Sequence, residues 1–531
     1  MSRKQSWGSL TFTLPVVILL ALINIYLLMY MHSHNGETTV ILTEKVYNKN
    51  SDSSSSYVQA NKEMKNNRRS GDGESDRTNP IIHKSGAQKH SDDDGHRSPE
   101  VNPAHDGNDV TEYVVSVDNL VDEMIETLRT TTLKKSKSSV FPSYFWNMTM
   151  GKLTHHLGYY QRSRAKTLAG YDDIKTSGPL PAWKLVHRNI RQFSLYSPDD
   201  PNVDQLLKDM ATLPITEADE NDGGTQLKIN TRLSDGGRAV LKPMRYGREV
   251  EADENRYIFD DIERHIAEIA AFQLDRVLGF YRVPPTIGRL VNITSELKPI
   301  VPKSIHQTMF TSPAGNLCFY GECDYYCDSA FAFCGRPDVI EVSMMSYLPS
   351  RNIAGRKSWY QPWRRSYNKR RKAYWEEHDD LCDKVRHESP YNNGKILLDM
   401  IDAHTFDFLT GNKDRHSFAT FREFGNFTFP IMYDNGRGFG RRTYDAMSIL
   451  APLDQCCLIR KSTFLKYVKL YMGPEKLSYL MKEALKSDPI APVLIRGHLT
   501  ALDRRIVKIL HAVAVCLQKK SVNEVIVDDR F

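Results

Sequence analysis

The chain has 531 residues, 40% of them hydrophobic and 26% charged, with a net charge of +6 at neutral pH. That length could hold about three domains of ~150 residues each. So small a net charge does not suggest a nucleic-acid partner, and no zinc-finger or RNA-recognition pattern occurs.

Residues Leu10 to Met31 are mostly apolar, interrupted by Thr11, Thr13 and Asn24. This matches the ~20 residues that a helix needs to span a bilayer. Arg3 and Lys4 precede the stretch and no basic cluster directly follows it. The positive-inside rule then leaves residues 1–9 as a cytosolic tail and places the chain after His32 outside or in the lumen. A cleaved signal peptide is the rival reading, but its apolar region usually runs ~7–15 residues and ends at a small-x-small site, which is missing here. We therefore expect a signal-anchor over residues 10–31, and contact with a membrane through it. Residues 32–118 are rich in Ser, Asp, Asn, Lys and Gly, including Ser53–Ser56 and Asp92–Asp94. Too little apolar surface is available there to offset the entropy of ordering, so the segment reads as a disordered stem.

Residues 119–220 read as an N-terminal segment that packs on the globular head. Leu120, Met124, Ile125 and Leu128 have helical spacing within Leu120–Leu133. Phe141, Tyr144, Phe145, Trp146, Tyr159 and Tyr160 would supply the packing surface.

Residues 221–349 read as a mixed lobe. Gln226–Arg232 and Ala239–Pro243 are two strands joined by a turn containing Gly236 and Gly237. Lys228 and Lys242 lie one on each arm, as in a kinase's phosphate-covering loop and its strand lysine. Taken alone, such a hairpin is more often simply solvated. Asp260–Gly279 is a helix by its stripe of Ile262, Ile266, Ile269, Ala270, Leu274, Val277 and Leu278, with Asp260 as cap and Gly279 as stop. Glu263 and Glu268 fall on it. In a kinase, the helix after the lysine strand carries a glutamate on the phosphate or metal side; the bland alternative is a surface carboxylate favoured by the helix dipole. Val283–Val291 reads as a Pro-led strand, and Glu341–Pro349 as a strand leaving into a linker, where an adenine-binding hinge would sit.

Residues 350–531 read as a mainly helical lobe. Arg356–Trp375 interleaves cations with aromatics, so an acidic ligand competes with a merely solvated face. Ile396–Leu409 reads as an amphipathic helix feeding into Gly411-Asn-Lys-Asp-Arg-His-Ser. Asp434 follows Asp414 by twenty positions and opens Asp434-Asn-Gly-Arg-Gly-Phe-Gly. Phe418–Tyr433 between them reads as a hairpin about Gly425-Asn426. Kinases hold a catalytic aspartate and a metal-holding aspartate at two such ends, although here the flanking motifs differ from His-Arg-Asp and Asp-Phe-Gly. By spacing alone, two loop aspartates are usually turn residues. Lys461–Met472, Glu475–Lys486 and Leu499–Lys519 have helical patterns. A mixed lobe followed by a helical one makes the fold class α+β with kinase-like architecture.

All eight cysteines, an even number, lie beyond residue 300, which in an oxidising compartment suggests disulfides. Zinc at Cys323-x3-Cys327 ranks low, since its neighbours are aromatic and acidic with no histidine. The sequons at Asn147, Asn292 and Asn426 suit a secreted, glycosylated chain.

Together these stretches resemble the secretory-pathway kinase family that holds the Golgi casein kinase and the glycosaminoglycan xylosylkinase. The resemblance rests on Leu227-Lys, Leu241-Lys-Pro-Met, Ile262-Glu-Arg-His with Ala267-Glu-Ile-Ala-Ala-Phe, Pro362-Trp-Arg-Arg-Ser-Tyr, Phe406-Asp-Phe-Leu-Thr-Gly-Asn, Asp414-Arg-His, Asp434-Asn-Gly-Arg-Gly-Phe-Gly, Leu453-Asp-Gln-Cys-Cys and Ala501-Leu-Asp-Arg-Arg. Cys318-Phe-Tyr-Gly-Glu-Cys with Tyr325-Tyr-Cys, and the Trp-Arg-Arg segment, resemble the casein kinase branch more than the xylosylkinase branch.

The resemblance implies an atypical bilobal kinase fold, stapled by disulfides, that transfers the ATP γ-phosphoryl to serine in Ser-x-Glu sites of secreted acidic proteins. Mn2+ would be the usual metal, with Mg2+ as the alternative ion. It implies Asp414 as the base, Asp434 and Glu263 as metal holders, and Gln226, Lys228, Lys242 and Asp434 on the nucleotide. Met345, Ser346, Tyr347 and Leu348 would form the adenine hinge. The implied disulfides are Cys318–Cys334, Cys323–Cys327, Cys382–Cys456 and Cys457–Cys516. The implied setting is a Golgi membrane with a lumenal head, which could also be released and secreted. The implied assembly is a homodimer or a heteromer with a sister pseudokinase. That pseudokinase branch lacks the metal-side glutamate, whereas Glu263 is present here. One departure stands out. The family reads Asp-Arg-His-His-Tyr-Glu, whereas this chain has Asp414-Arg-His-Ser417-Phe-Ala419, and alanine has nothing with which to coordinate. A xylosylkinase and an ATP-binding partner without catalysis are the alternatives.

Overall fold

The strand signals on either side of the helix at 265–278 converge on one antiparallel sheet. The computed structural model describes residues 119–130, 145, 148–153, 166–168, 179–221, 224–252, 263–368, 370–393 and 395–528. The expectations for the tail, anchor, stem, Asn147 and Asp260 fall outside these residues. In the N-terminal segment, α1 covers residues 119–130, α2 is Ala182–Arg188 and α3 is Pro201–Thr212. Phe145 is buried, as are Val121, Met124, Ile125 and Leu128 on the α1 stripe.

The sheet consists of β1 (Ile215–Glu220), β2 (Ile229–Leu233), β3 (Arg238–Pro243), β4 (Thr286–Asn292) and β5 (Val339–Ser346), in the order β1-β2-β3-β5-β4. Every pairing is antiparallel. Lys242 on β3 lies opposite Ser343 on β5. Helix α4 (His265–Leu278) packs across β4 and β5. Gly279 ends it in the left-handed conformation.

The helix start differs from the sequence expectation. Arg264, not Asp260, is the N-cap, in extended backbone and with no side-chain cap. Glu263 therefore precedes the helix rather than lying on it. The cause is the glycine-rich turn, because Arg264 N donates to Gly436 O at 2.6 Å and holds this stretch extended.

Beyond the sheet come β6 (Arg356–Tyr360), α5 (Lys395–Thr410), β7 (Ser417–Phe421), α6 (Ala451–Cys456), α7 (Lys461–Met472), α8 (Leu477–Leu485) and α9 (Arg496–Lys519). Two corrections arise here. Helix α5 is not amphipathic, since all sixteen of its residues are buried. Cations from elsewhere cover its acids: Arg282 Nη2 and Arg460 Nη2 reach Asp399 Oδ1 at 2.8 and 2.5 Å, and Arg460 Nε reaches Asp402 Oδ2 at 2.8 Å. Burying unpaired carboxylates would be far costlier than burying these paired ones.

The second correction concerns Phe418–Tyr433, which is not a regular hairpin. Strand β7 pairs with β6 from the basic aromatic stretch, in the register Ser417↔Tyr360 to Phe421↔Arg356. A single bridge, Ala419↔Ile431, links the two arms expected to pair. Phe421 packs on both Phe424 and Phe429, folding Arg422–Phe427 into a tight 3-10 turn.

Four disulfides staple the described residues: Cys318–Cys334, Cys323–Cys327, Cys382–Cys456 and Cys457–Cys516. The segment between α8 and α9 also docks on the sheet. Gly288 N donates to Asp488 Oδ2 at 3.1 Å. Arg248 Nη2 bridges Ile490 O at 2.9 Å and Glu341 Oε2 at 2.7 Å. Partial burial opposes ionisation of Glu341, but hydrogen bonds from His265 and Arg248 outweigh it and bring its pKa to about 2.

Candidate active site

Lys242 enters the site from the third strand and is almost wholly buried. A lone ammonium there would be strongly disfavoured. Three carboxylates meet it instead: Glu268 Oε1 at 2.5 Å, Glu263 Oε2 at 2.8 Å and Asp434 Oδ1 at 3.1 Å. Burial alone would lower the Lys242 pKa, yet these charges hold it well above the ordinary lysine value. Lys228 Nζ, just before β2, stands 3.9 Å from both Glu263 and Asp434. Burial disfavours ionised Asp434 too, but Lys242, Lys228 and Arg437 keep its carboxyl well below the usual carboxylate range.

The three acids are not equivalent. Glu268 is 1% exposed and accepts from Lys242 and, through both oxygens, from Asn435 N at 3.1 Å. Glu263 and Asp434 instead face the two lysines, Lys242 and Lys228, and the Asp434 side chain is 41% exposed. One carboxylate oxygen from each of Glu263, Glu268 and Asp434 falls within 4.8 Å of the others. Carboxylate oxygens at this spacing fit a hard divalent ion such as Mn2+ or Mg2+. Asp434 itself adopts φ 63°, a left-handed conformation that aspartate tolerates better than most residues. Gly436 is required beside it, because a Cβ there would meet Glu263 Cβ at 2.9 Å.

Asp414 lies in the loop after α5, with its N–H donating to Asn412 Oδ1 at 3.0 Å. Arg437 Nη1, from the Asp434 turn, contacts Asp414 Oδ2 at 2.9 Å. Tyr367 OH donates to Asp414 Oδ1, and burial followed by the Asp414 charge raises the tyrosine pKa. His416 Nδ1 lies 2.9 Å from the Asp414 carbonyl oxygen, and its hydrogen bond to Asp414 raises the imidazole pKa. Arg415 joins the two aspartate segments. It forks onto Asp407 at 2.5 and 2.8 Å, and donates to Tyr433 O at 3.0 Å and Asn435 Oδ1 at 2.6 Å.

The remaining sequence-named residues sit around this core. Gln226 is buried next to β2, and its Oε1 accepts from Arg245 Nη1 at 3.1 Å. Met345 lies opposite Val240, two residues from Lys242 along β3. Ser346 N donates to Pro285 O at 2.8 Å and Tyr347 N to Arg238 O at 3.0 Å, while Tyr347 O lies 2.7 Å from His187 Nε2 of α2. Burial brings the His187 pKa down to about 4, so the ring is neutral and donates to that carbonyl. Ala419 is 3% exposed, opposite Ser358. Asn426 is exposed, and Asn292 Oδ1 accepts from Ser295 N at 2.9 Å.

The sequence reading placed Glu268 on a helix but gave it no role in the site, and it passed over Arg415, Asn435, Arg437 and Tyr367. A signal for Glu268 was present. It is a carboxylate inside Ile266-Ala-Glu-Ile-Ala-Ala, where every neighbour is apolar. Such a position demands a buried partner.

The geometry can be set beside known proteins. The chain is 48% identical over 350 residues to the human "Extracellular serine/threonine protein kinase FAM20C", covering 66% of this chain and 60% of that protein. It thus spans less than two thirds of that relative's length. It is 38% identical over 349 residues to the human "Glycosaminoglycan xylosylkinase", covering 66% of this chain and 83% of that protein. The solved structure of "the Golgi casein kinase with Mn/ADP bound" matches with a TM-score of 0.66 and 40% identity, over 72% of this chain and 89% of that one. Residues 181–525 match the family model described as "Golgi casein kinase, C-terminal, Fam20", and the chain belongs to this Fam20 family.

Proposed function

We propose that the chain is a serine/threonine protein kinase of the secretory pathway, transferring the ATP γ-phosphoryl to Ser in Ser-x-Glu sites of acidic secreted proteins. The observation that carries this reading is the Lys242 cluster and its connection through Arg415 and Arg437 to Asp414. The fold is read as a bilobal kinase: residues 221–349 form the small lobe and hinge, and residues 350–531 the large lobe. The 119–220 segment packs on it, consistent with His187 on Tyr347 O and Trp183 Nε1 on Asp235 O at 3.3 Å.

Lys242, paired with Glu268 as a kinase's strand lysine pairs with its helix glutamate, is positioned for phosphate oxygens. Lys228 and Gln226 support it from the stretch that enters β2. Glu263 and Asp434 would hold Mn2+, or Mg2+, whose charge would offset that building on the phosphates in the transition state. Asp414 would accept the acceptor hydroxyl's proton, with Arg437 fixing the carboxylate's orientation. The hinge offers adenine the apolar side chains of Met345 and Leu348, since Ser346 N, Tyr347 N and Tyr347 O are engaged within the chain. A type II Golgi anchor at Leu10–Met31, glycans at Asn292 and Asn426, release of the head by cleavage, and pairing with a second copy or a sister pseudokinase complete the proposal.

The test uses purified protein, labelled ATP and Mn2+, with a Ser-x-Glu peptide and a xylosyl glycan offered in parallel. Transfer to the peptide is expected. Transfer to the glycan alone would make the chain a xylosylkinase. Transfer to neither, with ATP still bound, would make it a non-catalytic partner.

A further inference from the structure

Residues 224–226, just before β2, are held from outside their own sheet by the small loop closed by Cys323 and Cys327. Asp324 N donates to Gly224 O at 3.0 Å, and Gly224 N donates back to Asp324 Oδ2 at 3.1 Å. Tyr326 N donates to Thr225 O at 3.0 Å. One residue before the bridge, Glu322 N donates to Glu220 Oε1 at 2.5 Å. Gly321, at φ +62°, approaches so closely that a Cβ would lie 2.5 Å from that oxygen and 2.7 Å from Leu227 Cδ1. The loop is therefore fitted to the end of β1 and the entry of β2.

A second tie passes through Arg245. Its Nη2 donates to Tyr326 O at 3.0 Å and its Nη1 to Gln226 Oε1 at 3.1 Å. Its guanidinium carbon stands 4.3 Å from the Phe333 ring centroid, which fixes the plane of the fork. Arginine has donors only. The amide oxygen of Gln226 must therefore face Arg245, and the amide nitrogen must face away, so this side chain has no ambiguity of flip. Gln226 is 3% exposed, and its Nε2 finds no acceptor among the described residues. A buried donor without an acceptor is costly, so the arrangement asks for an oxygen supplied by a ligand. Lys228, two residues on, faces Glu263 and Asp434.

We propose that the Cys323–Cys327 loop and Arg245 are positioning elements, which orient Gln226 so that its Nε2 donates to an oxygen of the bound nucleotide. This rests on the nucleotide reading given above. The loop acts through Arg245 and backbone contacts, and Arg245 acts through Gln226. None of the loop residues needs to touch the nucleotide.

The test is a double-mutant cycle on the full chain, read by calorimetric titration of ADP with Mn2+, beside peptide KM and the melting temperature. Arg245→Met and the paired change Cys323→Ser with Cys327→Ser should each weaken ADP binding about 5–20-fold, the effect of one well-oriented hydrogen bond or somewhat more. Peptide KM should not move. Arg245→Met combined with Gln226→Leu should bind ADP no worse than Gln226→Leu alone, because both remove one interaction. Should Arg245→Met fail to fold, Arg245→Lys keeps the charge but lacks the planar fork whose two arms reach Gln226 Oε1 and Tyr326 O, and the same direction is expected. Additive losses in the cycle, or lower melting temperatures with unchanged ADP affinity, would overturn the proposal. A wild type that binds no ADP at all would instead bring down the nucleotide reading, and this proposal with it.

Discussion

The two ends of the cleft are built on opposite plans. At the Lys242 end Lys242, Glu268 and Arg415 are buried, Asp434 is partly exposed, and the hydrogen bonds close on one another through Glu268, Asn435 and Arg415. At the Asp414 end one partner, Arg437, is buried, but Tyr367 and His416 face solvent. Tyr367, which donates to Asp414, is 43% exposed, and Arg371 and Lys372 of the basic aromatic stretch are exposed. Charges buried in pairs are geometrically rigid and expensive to separate, whereas exposed cations contribute little to stability and adapt to what they meet. Phosphoryl transfer is largely positioning and charge neutralisation, so a fixed end for phosphate and metal suits the chemistry. The open end suits an acceptor that is itself a flexible polypeptide.

The sharpest way to break this contrast is to remove the fixed end. Lys242→Met and Asp434→Asn should each lower phosphoryl transfer by at least about 10²-fold, as expected when an aligned electrostatic group is lost from a water-poor site. Initial rates at saturating ATP and Mn2+ measure this. Comparable loss from changing Tyr367 alone would mean that the two ends are not different in kind.

Arg415→Met comes next. It strips Asp407 of its buried partner and frees Tyr433 O and Asn435 Oδ1. Breaking a buried pair this way typically costs about 3–5 kcal/mol, so chemical denaturation should show a clearly lower midpoint. A loss under about 1 kcal/mol, the range of exposed ion pairs, would show that the bridge carries no load.

At the open end, reversing Arg364, Arg371 and Lys372 to glutamate should raise KM for a Ser-x-Glu peptide about tenfold and leave KM for ATP unchanged, with stability hardly altered. Arg365 is left out because it is already held by Ser448 Oγ at 2.7 Å and by Glu376 at 3.7 Å. Equal effects on both substrates would assign the stretch to structure.

Ala419→Glu tests the departure in the catalytic loop. A carboxylate at this buried position is unfavourable unless a cation meets it. The variant should melt lower than wild type without Mn2+, recover with it, and need a few-fold less Mn2+ for half-maximal transfer. No Mn2+ dependence of its melting temperature would place residue 419 outside the metal's reach.

The smallest effect concerns the sheet's link to the segment after α8. Glu341 has its pKa lowered to about 2 in the folded chain, below the ~4.3 of a free glutamate. A depressed carboxyl pKa adds stability that is fully present above the unfolded value and is lost as pH falls through the folded value. Glu341→Gln should therefore cost on the order of 1–2 kcal/mol near pH 7, a difference that shrinks between about pH 4.5 and 2. A difference independent of pH would assign the loss to packing.

How much of this was legible in the sequence follows from what each feature depends on. The strands around Lys242 and the helices after residue 460 rest on local periodicity and turn residues, and their bounds agree with the sequence reading within a few positions. The start of α4 was misread because a distant turn at Gly436 holds Arg264 extended, and no local signal carries that. Strand β7 was given the wrong partner because β6 lies some sixty residues earlier, beyond the reach of any hairpin pattern. The polar faces of α5 looked solvent-directed, since nothing local shows that Arg282, Arg415 and Arg460 would cover them. Asp414, Asp434, Glu263 and Lys242 were singled out by motif; Glu268 carried a signal in its apolar neighbours that went unread, and the bridging role of Arg415 emerges only from tertiary contacts.

The central claim, that the metal and nucleotide end stands on its own while Asp414 serves the acceptor, has one direct test. ADP is titrated calorimetrically in the presence of Mn2+ into wild type, Asp414→Asn and Asp434→Asn, each first shown to be folded. Asp414→Asn should bind ADP within about threefold of wild type, under ~1 kcal/mol, while catalysing no transfer; Asp434→Asn should bind at least about tenfold more weakly. Equal loss of ADP affinity in both variants, or full affinity in Asp434→Asn, would contradict the account.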